Sequence, residues 1–189
     1  MRRSFLAVAI LAVALLGLLS TSPGAQGRDT AAPGPVVVLT TVKGDIEIEL
    51  FVSEAPKSAG RVLELAKTGF YRGLLFHWVQ PGVVQVGDPF TRDMTKRELW
   101  GTGGSGPKQS VRPIGVVEVT KRKFERGIVG LAYRNGAKPE EADSQIFILR
   151  APNPSLNGKY AAVGRVINKG MAVVDKIAQD DMVKTVAVR

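Results

Sequence analysis

The sequence predicts one mainly β domain, a sandwich or barrel with two helices, behind an N-terminal export leader. The 21 glycines and 11 prolines among 189 residues favour a fold with many turns over a helical bundle. Short apolar runs separated by turn residues are typical of sandwiches and barrels. The residues that follow the leader, roughly 150 of them, are enough for a single core. The absence of cysteine excludes disulfides, thiolate metal sites and cysteine nucleophiles, so packing must stabilise the fold.

The first 25 residues have the pattern of a secretory signal peptide. Arg2 and Arg3 form a positively charged start, residues 5–19 are uninterruptedly apolar, and small residues follow. Cleavage is predicted between Ser20 and Gln26. The apolar stretch is shorter than the roughly 20 residues that span a bilayer comfortably. A retained membrane anchor is therefore the alternative to a cleaved signal peptide.

Three segments follow from this pattern: a signal peptide over residues 1–25, a linker over 26–35 and a folded domain over 36–189. The linker is rich in Gly, Ala and Pro, which predicts a flexible tether. We expect an exported protein, periplasmic or extracellular, that contacts the membrane only transiently through its leader. The alternative location is the membrane surface, with the leader uncleaved. We expect the domain to be a monomer.

The domain is predicted to open with a β-hairpin. Residues 36–41 are apolar and β-branched, Lys43 and Gly44 suit a tight turn, and residues 45–50 alternate with period two. Acidic side chains on the second strand then face solvent. The opposite face carries the apolar residues Ile46, Ile48 and Leu50.

Two helices and further short strands follow the hairpin. Pro56 suits a first helical turn, apolar residues then recur at helical spacing, and Gly69 suits a left-handed C-terminal cap. A second short helix is predicted over residues 171–178. Further strands are predicted over residues 74–79, 83–86, 115–119, 128–132, 146–149, 161–166 and 185–188.

The formal net charge of +9 and pI near 10.0 permit an anionic partner, but they do not require one. Lysines and arginines are scattered, which favours a solvated basic surface. One cluster could contact phosphate or acidic lipid. Few aromatic residues are interleaved with it, so nucleic acid is not expected as a partner. The cluster consists of Lys121, Arg122, Lys123 and Arg126.

Three other features point weakly to cofactors or catalysis. Residues 101–106 fit G-x-G-x-x-G, but Pro107 follows them and the preceding segment is not β-like, which favours a flexible loop at the edge of a groove. The acidic residues 140–143 lack the spaced ligands of a calcium site, so no metal and no cofactor are predicted. His77 is the only histidine, so any triad with histidine would require it.

Several motifs, in order, resemble the cyclophilin-type peptidyl-prolyl cis-trans isomerases of bacteria. No single motif is specific, but six in the correct order cover residues 36 to about 178. The resemblance implies an eight-stranded antiparallel closed barrel capped by two helices, an outer groove and proline-containing polypeptides as partners. The motifs are residues 41–50 with 55–57, 69–77, 84–89, 101–104, 144–148 and 156–160.

The implied reaction needs no nucleophile, metal or proton transfer. Rotation about a peptide bond has a barrier of about 18–20 kcal/mol, because amide resonance must be broken. The nitrogen of the twisted amide is pyramidal and gains a lone pair. A donor aimed at that nitrogen stabilises the transition state more than the ground state. An isomerase therefore needs an apolar proline pocket, polar grips on the chain and such a donor.

The resemblance also implies which residues form the site. Gln85 matches the family's catalytic glutamine, which hydrogen-bonds the substrate backbone, and Trp78 stands where the family has its catalytic arginine. Simple core packing is the alternative role for Val84, Leu131 and Phe147. Substrate-binding positions are predicted at Val84, Leu131, Ala132, Tyr133, Phe147, Leu156 and Tyr160.

Trp78 is the departure from the family pattern. An indole offers one neutral N–H in place of a charged guanidinium, and this loss costs about one to three kcal/mol of transition-state stabilisation. Arg134, beside the predicted substrate edge, is a possible substitute donor. The sequence thus predicts an isomerase that acts on Xaa-Pro bonds of exported proteins and assists their folding. The alternative is a non-catalytic proline-peptide-binding module or chaperone.

Overall fold

The computed structural model describes residues 33–134 and 136–189, which form a mainly β domain around one eight-stranded sheet. All neighbouring strands are antiparallel, in the order β3-β4-β6-β5-β7-β2-β1-β8. The predicted mainly β class is confirmed. The strands are β1 Val36–Thr41, β2 Gly44–Leu50, β3 Trp78–Gln80, β4 Val83–Val86, β5 Ile128–Leu131, β6 Ile146–Leu149, β7 Ala162–Val166 and β8 Val183–Val188.

The opening hairpin forms as predicted. Thr41 pairs with Gly44 at the turn, and Val36 pairs with Glu49 at the open end. Ile46, Ile48 and Leu50 are buried, as the period-two pattern requires. On the outer face, the Glu49 carboxylate accepts a hydrogen bond of 2.7 Å from Arg165 of the neighbouring strand β7.

Both predicted helices are present, the second in shortened form. The first, α1 Pro56–Lys67, is followed by Gly69 with a left-handed φ of 74°, as expected of a C-terminal cap. It packs against β7 and β8. The second, α2 Gly170–Val174, packs against β2 and ends before the predicted residue 178. Its last carbonyl accepts from the Arg150 guanidinium at 2.7 Å, which satisfies the oxygen without another helical turn.

Five short 3₁₀ helices lie in the connections of the described part of the chain. Each of them starts from a segment rich in turn residues, and four begin with proline. None was predicted from the sequence. Their bounds are Pro89–Arg92, Met94–Leu99, Pro107–Gln109, Pro139–Glu141 and Pro154–Leu156.

Two predicted strands are wrong in whole or in part. Residues 115–119 form no strand, because the backbone N–H of Gly115 donates to Glu140 O in a loop at 3.0 Å and its φ of 72° departs from extended geometry. Residues 74–79 are mostly irregular. They contain one isolated bridge, from Leu75 to Met182, before β3 begins at Trp78.

The predicted closed barrel is not confirmed. The sheet curls into a half-barrel whose end strands, β3 and β8, share no ladder within the described part of the chain. The seam between the two ends is held by the Leu75–Met182 bridge and a few backbone hydrogen bonds, such as Phe76 N to Asp181 O at 2.9 Å. Strand β3 is only three residues long, too short to extend this bridge into a ladder.

Apolar side chains fill the concave face of the half-barrel. The main core combines alternate residues of all the long strands with Ala59, Val62 and Ala66 of α1. A second, smaller cluster lies on the opposite face of the sheet, under the site described below. Its buried members are Phe51, Phe124, Ala132, Phe147, Leu149 and Ala162.

The predicted signal peptide and most of the predicted linker lie outside the described residues. At the start of the described chain, Pro35 O accepts from Leu50 N at 2.9 Å, so ordered contacts begin just before Val36. Within residues 33–134 and 136–189, no helix combines the length and apolar character needed to cross a membrane.

Candidate active site

A groove of about 580 Å³ runs across the outer face of the sheet, over β3, β4 and β6. Trp78 and Gln85, the two predicted catalytic positions, face each other directly in the β3–β4 register. Both line the groove. Five predicted substrate-binding residues line it with them: Ala132, Tyr133, Phe147, Leu156 and Tyr160.

Val84 and Leu131 do not line this groove, contrary to the sequence-based assignment. Both side chains are buried in the main core on the other face of the sheet. Successive side chains of a strand point to opposite faces, so the burial of Val84 follows from the placement of Gln85 in the groove. Core packing, the alternative role, describes both residues. Phe147 combines the two roles, since it lies in the second cluster and also lines the groove.

Aromatic rings form one wall of the groove. The Tyr160 ring meets the Phe147 ring edge to face at 5.5 Å, and Tyr133 stacks on Tyr160 at 4.6 Å. Phe124 stacks behind Phe147 at 5.9 Å. Gly130 makes this arrangement possible, because a Cβ at that position would overlap the Phe147 ring. The result is a fixed apolar surface suited to a small saturated ring.

Tyr160 of this wall stays neutral at physiological pH. Burial and, after it, the neighbouring Tyr133 hydroxyl raise the pKa of Tyr160 to about 12. The phenol therefore keeps its proton and remains a donor beside the groove.

The Gln85 side chain is held by two hydrogen bonds that use its amide nitrogen. Nε2 donates to Gln145 Oε1 at 2.8 Å and lies 3.5 Å from His77 Nε2. Gln145 is fixed in turn, because its own Nε2 donates to Gly103 O at 2.9 Å. No residue in the described part of the chain donates to Oε1 of Gln85. This oxygen is therefore left to accept a hydrogen bond from an N–H in the groove.

His77 contacts Gln85 and does not itself line the groove. Burial lowers the pKa of His77, although the carboxylate of Asp88 opposes this shift. A neutral ring lets Nε2 accept from the Gln85 amide, whereas a protonated ring would place two donors against each other. The backbone oxygen of His77 also accepts from Gln179 Nε2 at 2.6 Å. The geometry thus gives this histidine a positioning role.

Trp78 and Arg134 are the two donors at the groove whose side chains have no hydrogen-bond partner in residues 33–134 and 136–189. The Trp78 side chain is half exposed, at 48%, which is unusual for an indole. Arg134 is exposed and lines the same groove. Most other arginines in the described residues are engaged, for example Arg126 with Asp175 at 2.7 Å.

The G-x-G-x-x-G segment lies at the edge of the groove, as predicted, and two buried carboxylates hold it. Asp88 accepts from the backbone N–H of Gly101 and Gly103 at 2.5 and 3.0 Å. Asp143 accepts from the backbone N–H of Ser105 at 2.6 Å and pairs with Arg61. These bonds fix the position of Gly101, which lines the groove.

The two arginines of the basic cluster form ion pairs within the domain. Arg122 pairs with Glu54 at 2.6 Å and lies over the Phe51 ring, and Arg126 pairs with Asp175. In the described part of the chain, no group of three or more acidic or histidine side chains is arranged to hold a metal ion.

Further groove residues were missed in the sequence. Val83 could have been identified, because it is two positions from Gln85 on the same strand face. The others come from different segments, and nothing local indicates that they converge. They are Leu149, Asn153 and Gly136.

A curled antiparallel half-barrel with an aromatic groove on its outer face defines the structural class, and comparison with known proteins identifies the family. The model of the cyclophilin type peptidyl-prolyl cis-trans isomerase/CLD family matches residues 36–188. A "Probable peptidyl-prolyl cis-trans isomerase" of Brucella suis is 36% identical over 99% of this chain and 90% of its own length. A "Peptidyl-prolyl cis-trans isomerase" of Helicobacter pylori is 34% identical over 78% of this chain and 83% of its own.

Solved structures agree with this assignment. A cyclophilin-type peptidyl-prolyl cis-trans isomerase of Cryptosporidium parvum superposes with a TM-score of 0.68 at 26% identity, covering 84% of this chain and 98% of its own. A second structure of that protein, obtained in the presence of the dipeptide Ala-Pro, gives a TM-score of 0.65, covering 82% and 98%. The chain belongs to the cyclophilin-type peptidyl-prolyl cis-trans isomerases, a family of isomerase enzymes.

Proposed function

We propose that this protein is an exported peptidyl-prolyl isomerase that acts on Xaa-Pro bonds of exported proteins and assists their folding. One observation carries the proposal: the unoccupied acceptor oxygen of Gln85 shares a groove with the aromatic wall of Phe147 and Tyr160. Such a groove offers a polar contact for the peptide chain beside an apolar site for the proline ring, two of the three features that catalysis of this rotation needs. The non-catalytic alternative is not favoured, since the relatives from Brucella suis and Helicobacter pylori are named as isomerases.

Substrate is proposed to lie along the groove with its proline ring against Phe147. Gln85 Oε1 then accepts from a substrate backbone N–H. The backbone N–H of Tyr133, which has no partner among the described residues, can donate to a substrate carbonyl. The apolar pocket favours the twisted amide, because that state loses the resonance polarity of the planar amide. The Ala-Pro dipeptide in the relative's structure supports proline as the central element of the ligand.

The donor to the prolyl nitrogen is proposed to be Arg134, in place of the arginine that the family has at the position of Trp78. Its guanidinium lines the same groove and has no competing partner among the described residues. A charge-assisted hydrogen bond is roughly twice as strong as a neutral one, so Arg134 would stabilise the lone pair better than the indole of Trp78. Trp78 would then act mainly as an aromatic contact.

An isomerisation assay with Xaa-Pro peptides tests both parts of this proposal. Arg134→Ala should lower kcat/KM by about ten- to hundredfold, the equivalent of one to three kcal/mol. Trp78→Arg should restore most of that loss in the double variant, because it returns a guanidinium to the site. Arg72→Ala, which removes an exposed arginine outside the groove, is the control and should change nothing.

Two outcomes would contradict the proposal in different ways. Full activity of Arg134→Ala would remove Arg134 as the donor while leaving isomerase function intact. Binding of Xaa-Pro peptide without turnover, in the unsubstituted protein, would support the non-catalytic alternative instead.

Export is proposed from the first 25 residues. Mass spectrometry of the protein recovered from its native cells should find a new N-terminus between Ser20 and Gln26. Recovery of the intact N-terminus in the membrane fraction would support the anchored alternative. The proposed monomer is checked on the same material by its sedimentation.

A further inference from the structure

We propose that a second cavity beside the groove binds an aromatic side chain of the same peptide, close in sequence to its proline. This inference rests on the proposed function, since it extends the groove that holds the prolyl bond. The cavity measures about 360 Å³ and shares Trp78, Gln85 and Gly101 with the groove. A peptide that contacts Gln85 is therefore already at the entrance of the second cavity.

Both tryptophans of the chain line this cavity. Trp78 lines both the cavity and the groove, and Trp100 lines the cavity together with Arg97 and Gln179. Trp78 leaves 48% of its surface exposed, which is apolar area that a bound side chain would remove from water. An aromatic ligand can also stack on or meet an indole edge to face, and this favours it over an aliphatic one.

Trp100 is held in a fixed orientation. Its Nε1 donates to Phe90 O at 3.2 Å, and the Arg97 guanidinium lies 4.6 Å from the centre of its ring. The 3₁₀ helix that precedes it, Met94–Leu99, positions both Arg97 and the indole. A preorganised ring loses little conformational entropy when a ligand packs against it.

The charge of the cavity points to a neutral occupant. Arg97 is the only charged side chain among the described residues that line the cavity, and it is already paired. It forms two hydrogen bonds to the Asp180 carboxylate, at 2.9 and 3.2 Å. Its other polar groups include the amides of Gln85 and Gln179. An acidic or basic side chain would be desolvated without a new partner, whereas an aromatic ring would not.

Peptide affinity for the full-length protein tests the inference. The probes are pentapeptides with a central proline that carry either Phe or Ala at one flanking position, with each position tested in turn. The best-placed Phe peptide should bind about three- to tenfold more tightly than its Ala counterpart, the usual gain of one aromatic pair. Trp100→Leu should abolish this preference but leave the affinity for Ala peptides unchanged.

Met94→Ala is the matched control. Met94 is an exposed apolar residue of the same 3₁₀ helix and lines neither cavity, so its removal should leave the Phe preference unchanged. Trp78→Phe supplies a second measurement, because Trp100 is then the sole indole. Its fluorescence should change with the Phe peptide and stay constant with the Ala peptide.

The experiment distinguishes failure of the aromatic subsite from failure of the proposed function. If Ala peptides are bound and isomerised but no Phe position raises the affinity, the second cavity is not an aromatic subsite. The same holds if Trp100→Leu keeps the Phe preference of the unsubstituted protein. If no Xaa-Pro peptide binds at all, the proposed function itself is wrong.

Discussion

The two faces of strands β4 and β6 are built from alternate residues of the same segments, and they do different work. On the inner face, Val84 and Ile148 are completely buried in the main core. On the outer face, Gln85 and Phe147 line the groove, and they are paired across the two strands. Stability and recognition are thus separated by a single step along each strand. A change on one face should affect mainly its own property.

The largest effect is expected on the inner face. Ile148→Ala removes a fully buried side chain and should lower the free energy of unfolding by about 2–5 kcal/mol. Urea unfolding followed by circular dichroism measures this loss. The KM of the remaining folded protein should be unchanged, because the groove lies on the other face. An altered KM at temperatures where the variant is folded would show that the two faces are not independent.

Gly130→Ala should lower both stability and activity, and so override the division between the two faces of the sheet. The new Cβ would overlap the Phe147 ring and force it toward the groove. Overpacking of this kind costs about 1–3 kcal/mol of stability, and kcat/KM should fall with it because the proline site changes shape. Gly60→Ala is the control, since a Cβ there meets nothing within 4 Å and alanine favours the helix. Normal activity of Gly130→Ala would mean that Phe147 does not shape the site.

The smallest expected effect is the dependence of stability on pH, and it is due to His77, which contacts Gln85. The folded-state pKa of His77 is lowered by burial, so between that value and the ordinary value of about 6.5 the unfolded chain binds more protons. Stability is therefore complete above about pH 6.5 and declines as the pH falls, with a slope of at most about 1.4 kcal/mol per pH unit. Urea unfolding from pH 7.5 to 5.5 measures this slope.

His77→Gln isolates the contribution of this residue. Since His77 is the only histidine, the variant should lose the slope between pH 7.5 and 5.5. A retained slope would assign the pH dependence to carboxylates instead. In the folded protein, protonation of His77 requires a pH near or below its lowered pKa. There it should disturb Gln85, whose amide nitrogen lies against the ring, so KM should rise only at lower pH than the onset of the stability loss.

The hairpin, α1 and most strands could be predicted because their signals are local. Residues 45–50 need only their own alternation, and Pro56 with Gly69 marks the ends of one helix. Residues 115–119 have an equally good strand pattern, but their partners decide otherwise. Ile114 and Gly115 bond to the loop around residues 140–142, a contact that no local pattern contains. The open seam could not be predicted for the same reason. It depends on the pairing of Leu75 with Met182, two residues far apart in the sequence.

The resemblance predicted which segments form the groove better than which face of each strand lines it. Five of the seven predicted substrate-binding residues line the groove, and the other two lie on the opposite face of the sheet. Because Gln85 lines the groove, the alternation of side chains along the strand places Val83 on the same face and Val84 on the opposite one. This pattern alone could have replaced Val84 by Val83 in the prediction. Leu131 was also assigned to the wrong face of its strand. The neighbouring residue, Gly130, has no side chain, so the sequence does not indicate which face of the strand points to the groove. One residue that holds Gln85 is His77, close to it in the sequence, but the other is Gln145, which comes from a distant segment.

The seam of the half-barrel sets where the molecule opens. It joins Leu75, three residues before Trp78, to Met182 through one bridge, while the β1–β2 ladder has six paired positions. Local opening occurs where few backbone hydrogen bonds must break together, so amide exchange should be faster at Phe76 and Val183 than in that ladder. The rim of the groove that carries Trp78 is attached to this seam. If amide exchange is faster there, we expect the rim to move without disturbance of the core.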